Sequence, residues 1–325
     1  ILYNGTTWTN PSITGVTSTT LSNITTFKNQ VWFTQASTLK AWYLPTLSIS
    51  GAAAAIDLSS VAQLGGYLVA VSTWTIDAGY GVDDNLVFIT SNGEVIVYAG
   101  TDPSDSTKWA LIGVWRLGKP VGKRCLMKYG GDILVLTYNG LYPLAASLQS
   151  SRLDPRIALS DKIQGAFTTA TQSYGGNFGW DLTFDPQHNA LTINVPIAEG
   201  QQQQYVMNNI TKAWCNFTGQ YANCWTVFSN EPYWGGNGFV AHAWDDNFAN
   251  DTSDINGYAL QAFNYFDARG VKKYFTRARP SIFTNGTPSI FIGLNMDFDL
   301  ADTTAALSFS PQAASKWDIA LWDVG

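Results

Sequence analysis

The sequence predicts an all-β fold, a β-propeller of about five to six blades built from antiparallel four-stranded repeats. The first observation behind this prediction is the dipeptide Asn-Gly, which supplies the positive φ angles of tight hairpin turns between apolar runs. The second is the regular spacing of such turns along the chain. The dipeptide occurs six times, beginning at Asn4, Asn92, Asn139, Asn237, Asn256 and Asn285.

The clearest hairpin joins two β-rich runs, residues 86–90 and 95–98, through Asn92-Gly93. Because both residues of this dipeptide accept positive φ, we expect a type I′ turn here. Similar pairs of runs predict five more hairpins. They are 31–34 with 39–44, 133–137 with 141–142, 191–195 with 205–207, 233–234 with 239–241, and 281–283 with 290–292.

The spacing of the hairpin turns indicates blades. Turn centres recur about every 50 residues, close to the roughly 40 to 50 residues of a four-stranded blade. After residue 98, a loop at 101–108 and strand-like runs at 109–117 and 124–129 provide the other strands of one repeat. A pair of β-sandwiches is the alternative, since sandwiches also contain many short strands.

Helical periodicity is missing between the strand-like runs, which argues against parallel βαβ repeats. The least strand-like stretch, residues 148–163, is expected to be a loop or one short helix. We therefore assign residues 1–276 to propeller-like repeats. Residues 277–325 are assigned to a last blade or a small terminal β platform. The chain opens in a strand-like run without methionine, and we expect it to be part of a longer or processed chain.

The composition favours protein contacts over nucleic-acid binding. Charged residues make up 13% of the chain and hydrophobic residues 46%, whereas about a quarter of an average domain is charged. A surface with few charges and many aromatic rings suits buried interfaces. The net charge of −6 lacks the basic footprint that grips phosphate.

The cysteines give no metal pattern. There are three, Cys125, Cys215 and Cys224, and their spacing matches no zinc motif. A disulfide between Cys215 and Cys224 is one interpretation, and reduced thiols in a cytoplasm are the one we favour. The longest apolar stretch, residues 49–71, is interrupted by polar residues and glycines, so no membrane-spanning segment is predicted.

The search for chemistry predicts no enzyme. The two histidines, His188 and His242, are read as a turn residue and a packed ring. No Gly-x-Ser-x-Gly motif, phosphate loop or dinucleotide fingerprint occurs. Acidic residues sit mainly in turns, and Asp245 and Asp246 lie in a loop rich in Asn and Gly. We expect no catalytic residue, no cofactor and no metal site.

Two basic clusters stand out against the acidic whole. One contains Arg116, Lys119, Lys123 and Arg124, and the other contains Arg269, Lys272 and Lys273. We interpret them as candidate subunit interfaces, where basic edges meet acidic loops such as Asp245-Asp246 of a neighbouring copy. Nucleic-acid contact and plain solvated faces are the alternatives.

One part of the chain resembles the propeller-bearing tail nozzle, or tail hub, proteins of short-tailed phages. The resemblance covers residues 27–163 best and is carried by fold-like motifs. These are VWF at 31–33, NLVFITSNGEVIVYAGTDP at 85–103, WALIG at 109–113, RLGKP at 116–120, LDPR at 153–156 and SDKI at 160–163.

The resemblance implies a structural virion protein, assembled in the bacterial cytoplasm into a ring, expected to be a hexamer. Such a ring contacts adaptor and other tail proteins, and DNA passes through it without specific binding. The alternative is a carbohydrate-binding or glycan-hydrolysing propeller. In that case Trp180, Trp225 and Trp234 are the candidates for stacking on sugars.

Overall fold

A computed structural model describes residues 1–77, 82–149, 154–244, 249–250, 253–267, 269–277, 289–296, 298–299 and 306–307. The structural statements below concern these residues. The chain divides into two compact units, residues 1–253 and 254–325, which differs from the predicted boundary after residue 276. The expected strand at 281–283 lies outside the described residues.

The first unit contains, within its described residues, five antiparallel sheets of three or four strands, numbered here 1 to 5 in chain order. They are preceded by β1 Leu2–Tyr3, β2 Trp8–Thr9 and β3 Ile13–Thr14. Sheet 1 contains β4 Leu21–Phe27, β5 Gln30–Gln35, β6 Lys40–Tyr43 and, after β7 Gly51–Ala52, β8 Ala54–Asp57. Sheet 2 contains β9 Leu68–Asp77, β10 Val82–Thr90, β11 Glu94–Gly100 and β12 Trp109–Arg116. β1 pairs with β2, and β3 pairs in parallel with β7.

The remaining three sheets continue the pattern. Sheet 3 contains β13 Leu126–Tyr129, β14 Asp132–Thr137 and β15 Gly140–Pro143, and is followed by helices α1 Leu144–Ser147 and α2 Gln164–Tyr174. Sheet 4 contains β16 Asp181–Asp185, β17 Ala190–Ala198, β18 Gln201–Asn208 and β19 Trp214–Thr218. Sheet 5 contains β20 Cys224–Phe228, β21 Glu231–Gly235 and β22 Val240–His242. Short 3₁₀ turns cover Ser18–Thr20, Pro155–Ile157 and Asp161–Ile163.

The remaining strands are short. β23 Ala249–Asn250 and β24 Ser253–Asp254 form one two-stranded sheet, and β25 Ile290–Phe291 and β26 Ala306–Leu307 form another. In the second unit, aromatic pairs such as Phe263 with Phe298, at 4.8 Å between ring centroids, make local contacts. Most of the described large apolar side chains of this unit face solvent.

The order of contacts between sheets makes this a propeller-like all-β fold, as predicted. Each sheet contacts the next through its first strand: β4 contacts β9, β9 contacts β13, β13 contacts β16, and β16 contacts β20. First strands that meet in succession place the sheets side by side, like blades arranged around an axis. Sheets 1, 2 and 4 have four strands, whereas sheets 3 and 5 have three among the described residues.

The five hairpin predictions in the first unit are confirmed in register, whereas the sixth, 281–283 with 290–292, stays a prediction; β25 pairs with β26 instead in the described residues. Phe88 pairs with Ile96 across β10 and β11, and Leu136 pairs with Leu141 across β14 and β15. The predicted type I′ turn at Asn92-Gly93 is wrong. Only Gly93 takes a positive φ, of 87°, whereas a type I′ turn needs two consecutive positive values.

Apolar side chains fill the spaces between neighbouring sheets. Sheets 1 and 2 share a core that includes Phe27, Trp32 and Phe88. Sheets 2 and 3 share another around Val97 and Tyr142. Sheets 3 and 4 enclose a third core. These cores bind each sheet to the next by apolar burial.

Helix α2 was not anticipated by the sequence analysis. Its residues, QGAFTTATQSY, include three β-branched threonines, which have only modest helix propensity. Tertiary packing determines the helix, because Phe167, Ala170 and Thr171 are buried on one face with i, i+3, i+4 spacing. The face joins the core between sheets 3 and 4.

All three cysteines are free thiols in the structure, whereas the redox state of Cys215 and Cys224 stays a prediction. Cys125 is buried, and burial raises the pKa of its thiol to about 12. Partial burial also raises the pKa of Cys215, although both Cys215 and Cys224 are exposed.

We expect a thiol reagent near pH 8 to label two cysteines in the folded protein and the third only in denaturant. Cys224 should react first, and Cys215 more slowly because its thiolate is less populated. Mass spectrometry of the labelled peptides measures this order. Rapid native labelling of Cys125 would show that the core between sheets 3 and 4 opens readily.

Candidate functional site

In the described part of the chain, Lys123 and Arg124 of the first basic cluster lie beside a cleft between sheets 3 and 4. A loop at Gly122–Arg124, just before β13, forms one wall. A glycine-rich loop at residues 175–179, between α2 and β16, forms the other. The cleft has a volume of about 190 Å³, and its side-chain lining includes Lys123, Arg124, Asn177, Phe178 and Trp180. We call it the basic cleft.

Arg124 is the best-connected side chain of the basic cleft. Its Nη1 lies 2.8 Å from Oδ2 of Asp181, and its Nη2 donates to the carbonyl oxygen of Asn223 at 2.8 Å. Its guanidinium also lies 5.4 Å from the ring centroid of Phe178. One cation therefore links the chain before sheet 3 to the first strand of sheet 4 and to the residue before sheet 5.

Asp181 provides the buried acceptor of this link. Its Oδ1 accepts from the backbone N–H of Leu182 at 3.0 Å, and its Oδ2 accepts from the backbone N–H of Trp225 at 3.2 Å. Burial raises the pKa of the Asp181 carboxyl above its ordinary value, while the Arg124 cation and the two N–H groups act in the opposite direction. The Asp181 carboxylate thus accepts hydrogen bonds from three donors at three places in the chain.

Asn194 continues the polar network behind Asp181. Its Nδ2 donates to the carbonyl oxygens of Gly179 and Ala222, at 2.8 and 2.9 Å. Its Oδ1 accepts from Nε2 of Gln204 at 2.9 Å and from Nε1 of Trp225 at 3.1 Å. The network therefore fixes the loop before β16 and the loop before β20 to the middle of sheet 4.

The candidate sugar-stacking tryptophans are buried. Trp180 is 1% exposed and donates from Nε1 to the carbonyl oxygen of Tyr174, while Trp225 and Trp234 are each 9% exposed. Their rings pack within the protein, Trp225 against Trp234 at 6.4 Å between centroids. This burial argues against the interpretation that they are open platforms for sugars, because a stacking ring must present a free face.

The other predicted interface residues that the structure describes make local contacts within their own units or face solvent. Arg116 ends β12 and reaches Gln63 at 3.5 Å, and the Lys119 ammonium lies 5.1 Å from the ring of Tyr138. In the second unit, Arg269 stacks on Tyr265 at 4.8 Å, Lys273 donates to the carbonyl oxygen of Phe266, and Lys272 is exposed. Asp245 and Asp246 lie outside the described residues, so their proposed pairing with the basic clusters stays a prediction.

The histidines occupy local carboxylate pairs. His188 Nδ1 lies 2.5 Å from Oδ2 of buried Asp185, and His242 Nε2 lies 3.1 Å from Oε2 of Glu231. Within the described ranges, no group of three or more His, Cys, Asp or Glu side chains is placed to hold a metal ion. Across the same residues, no helix is long and apolar enough to cross a membrane.

Several residues of the basic cleft and of the polar network behind it were missed by the sequence analysis. Phe178 is 81% exposed between two glycine-containing turns, and the run GGNFGW at 175–180 was the available signal for an ordered loop. Asp181 and Asn194 gave no such signal. Their roles depend on contacts with residues distant in the sequence, such as Arg124 and Ala222.

No family model and no curated protein matches this chain. Among solved structures it is similar to the Nup170 N-terminal domain, from a Chaetomium thermophilum complex with Nup53, at 13% identity and a TM-score of 0.35 over 60% of this chain and 28% of that chain. It is also similar to the WD40 domain of SCAP from fission yeast, at 13% identity, a TM-score of 0.33, and 63% and 48% coverage. A third is the Nup133 β-propeller domain of Vanderwaltozyma polyspora, at 13% identity, a TM-score of 0.33, and 67% and 58% coverage. The chain spans less than two thirds of each of these three.

Proposed function

We propose that this chain is a structural subunit of the tail nozzle of a short-tailed phage, where copies form a ring around the path of DNA ejection. The proposal starts from the resemblance in residues 27–163 and assigns the chain no catalysis. In this role the propeller-like unit is a rigid wall element. Other tail and adaptor proteins are its partners, and DNA passes without specific binding.

The observation that carries the proposal is a contrast between polar side chains, which join sheets inside the chain, and large apolar side chains, many of which face solvent. Arg124, Asp181 and Asn194 connect neighbouring sheets to one another. Large apolar side chains, in contrast, face solvent in both units. They include Trp8, Ile24, Phe178, Phe228 and Val240 in the first unit, and Tyr258, Tyr274 and Phe298 in the second.

Exposed rings and aliphatic side chains on a chain with 13% charged residues are typical of surfaces that other subunits cover. A net charge of −6 also suits a wall along which DNA moves, because it offers no general attraction to phosphate. The glycan-binding alternative is less well supported, since its three candidate tryptophans are buried.

We expect imaging of the intact particle at side-chain resolution to show several copies of this chain as a ring around an axial channel in the tail. The purified chain should form the same ring, which sedimentation at several concentrations measures. A monomer at high concentration, combined with absence of the chain from the particle, would contradict the proposal. Binding of the purified chain to a glycan on an array would favour the alternative.

A further inference from the structure

Sheet 5 is one strand short of the four-stranded pattern. Its order is β20, β21, β22 among the described residues, whereas sheets 1, 2 and 4 each have a fourth strand. β20 contacts the first strand of sheet 4, so the position left open is beside β22. A three-stranded blade with an open outer edge exposes backbone groups that another strand can pair with.

Sheet 3 also has three strands, but the chain itself covers its outer edge. The backbone N–H of Leu159 donates to the carbonyl oxygen of Leu141 in β15 at 2.9 Å. The N–H of Leu141 in turn donates to Oγ of Ser160 at 3.1 Å. Residues 159–160 thus occupy the position of a fourth strand. In the part of the chain that the structure describes, sheet 5 has no equivalent segment in its sheet order.

The backbone of β22 is arranged to accept a strand. Ala241 pairs with Trp234, and the N–H of Ala243 donates to the carbonyl oxygen of Pro232 at 2.9 Å. Antiparallel ladders alternate between residues that bond inward and residues that bond outward. The N–H and C=O groups of Val240 and His242 therefore point away from β21, along the open edge.

This edge lacks two of the features that usually prevent strand addition. Residues 239–244 read Phe-Val-Ala-His-Ala-Trp, with no lysine and no proline, whereas natural edge strands are commonly protected by both. Val240 is 77% exposed and Phe239 is 52% exposed. Its shortness is itself one protective feature, but the edge is apolar and carries neither lysine nor proline, which favours an occupied edge in the assembled protein.

The N-terminal hairpin of β1 and β2 is also apolar and exposed, which suits a partner for the edge of β22. Tyr3 and Trp8 stack at 4.7 Å between ring centroids, yet they are 51% and 71% exposed, and Ile1 is 89% exposed. The first charged side chain of the sequence is Lys28, so no side-chain charge must be desolvated when this segment docks. A lone two-stranded hairpin is marginal in water and gains stability by joining a larger sheet.

We propose that β22 accepts a strand from the β1–β2 hairpin of a second copy of this chain, completing sheet 5 across the subunit boundary. Among the described residues of one chain, β1 and β2 pair with each other and not with β22, and no described strand pairs with the outer edge of β22. Because the donating and accepting surfaces differ, repetition of the contact closes a ring or continues as a filament. The inference rests on the homo-oligomer in the proposed function but not on a place in a phage tail.

The first test is Val240→Pro with Val240→Thr as its matched control. Proline removes one outward N–H and leaves the bonds from β22 to β21 in place, whereas threonine keeps the N–H and the β-branched shape. Val240→Pro should weaken self-association by about tenfold or more, roughly the effect of one lost hydrogen bond at an interface. Val240→Thr should associate like the parent chain. Equal association of all three, with unchanged circular dichroism, would overturn the proposal.

A second test does not depend on whether the proline variant folds. In a chain carrying Cys215→Ser and Cys224→Ser, one preparation receives Tyr3→Cys and another receives Val240→Cys. Mild oxidation of the mixture should yield a cross-linked heterodimer on a non-reducing gel, well above either preparation alone. If the mixture gives no heterodimer while a chain with both cysteines cross-links within itself, the hairpin completes its own sheet and the proposal is overturned. If a ring forms without this cross-link, the strand exchange is contradicted but the proposed function is not.

Discussion

Replacement of Trp32 by alanine is expected to lower the free energy of unfolding of the first unit by about 4 kcal/mol. Trp32 is 0% exposed in the core between sheets 1 and 2. Its ring stacks on Tyr43 at 4.9 Å and on Trp109 at 5.5 Å, and its edge meets Phe88 at 6.1 Å. Alanine therefore leaves a large cavity that three rigid rings cannot easily fill.

The matched control is Trp32→Phe. Nε1 of Trp32 is buried without a hydrogen-bond partner, so phenylalanine removes an unsatisfied donor while keeping most of the stacking. We expect a cost below about 1.5 kcal/mol, because the lost volume and the removed polar group act in opposite directions. Denaturant unfolding of both variants and of the exposed-site variant Trp8→Ala measures these differences. A cost for Trp32→Ala no larger than that for Trp8→Ala would show that sheets 1 and 2 do not share this core.

The parts of the fold that were predictable from the sequence are local. The hairpin of β10 and β11 pairs residues no more than 14 positions apart, and its Asn-Gly turn and the apolar runs on either side are visible in the sequence. The regular recurrence of such hairpins then predicts blades. The turn type escaped prediction because Asn-Gly also suits turns in which only the glycine has a positive φ.

The basic cleft was only partly predictable, because its contacts join distant parts of the chain. The cluster containing Lys123 and Arg124 was identified as a candidate protein contact, yet the guanidinium of Arg124 binds Asp181 and Asn223 of its own chain. No local pattern distinguishes a cation that faces a partner from one that joins two sheets of the same chain. For the same reason, the sequence did not show that Trp180 is buried whereas Trp8 is exposed.

Replacement of Arg124 by alanine is expected to destabilise the first unit by about 3 kcal/mol. Removing one partner of a buried ion pair leaves the other charge uncompensated, and this costs about 3 to 5 kcal/mol. We take the lower end because the Arg124 side chain is 34% exposed and partly screened by solvent, although that of Asp181 is only 9% exposed. Lys123→Ala, at the exposed neighbouring position, is the control and should change stability by less than about 0.5 kcal/mol.

The pH dependence distinguishes lost charge compensation from lost packing. Burial raises the pKa of Asp181, and removal of the Arg124 cation removes the largest influence that opposes this rise. The folded variant then holds a proton at Asp181 to a higher pH than the unfolded chain does, so its stability falls as pH rises through that interval. The deficit of Arg124→Ala relative to the parent should therefore be largest near neutral pH and shrink in mild acid, where Asp181 is protonated.

Adding Asp181→Asn to the variant should abolish this pH dependence, because no carboxylate remains to be desolvated. A deficit that is equal at both pH values would assign the role of Arg124 to its packing against Phe178, at 5.4 Å, rather than to its charge.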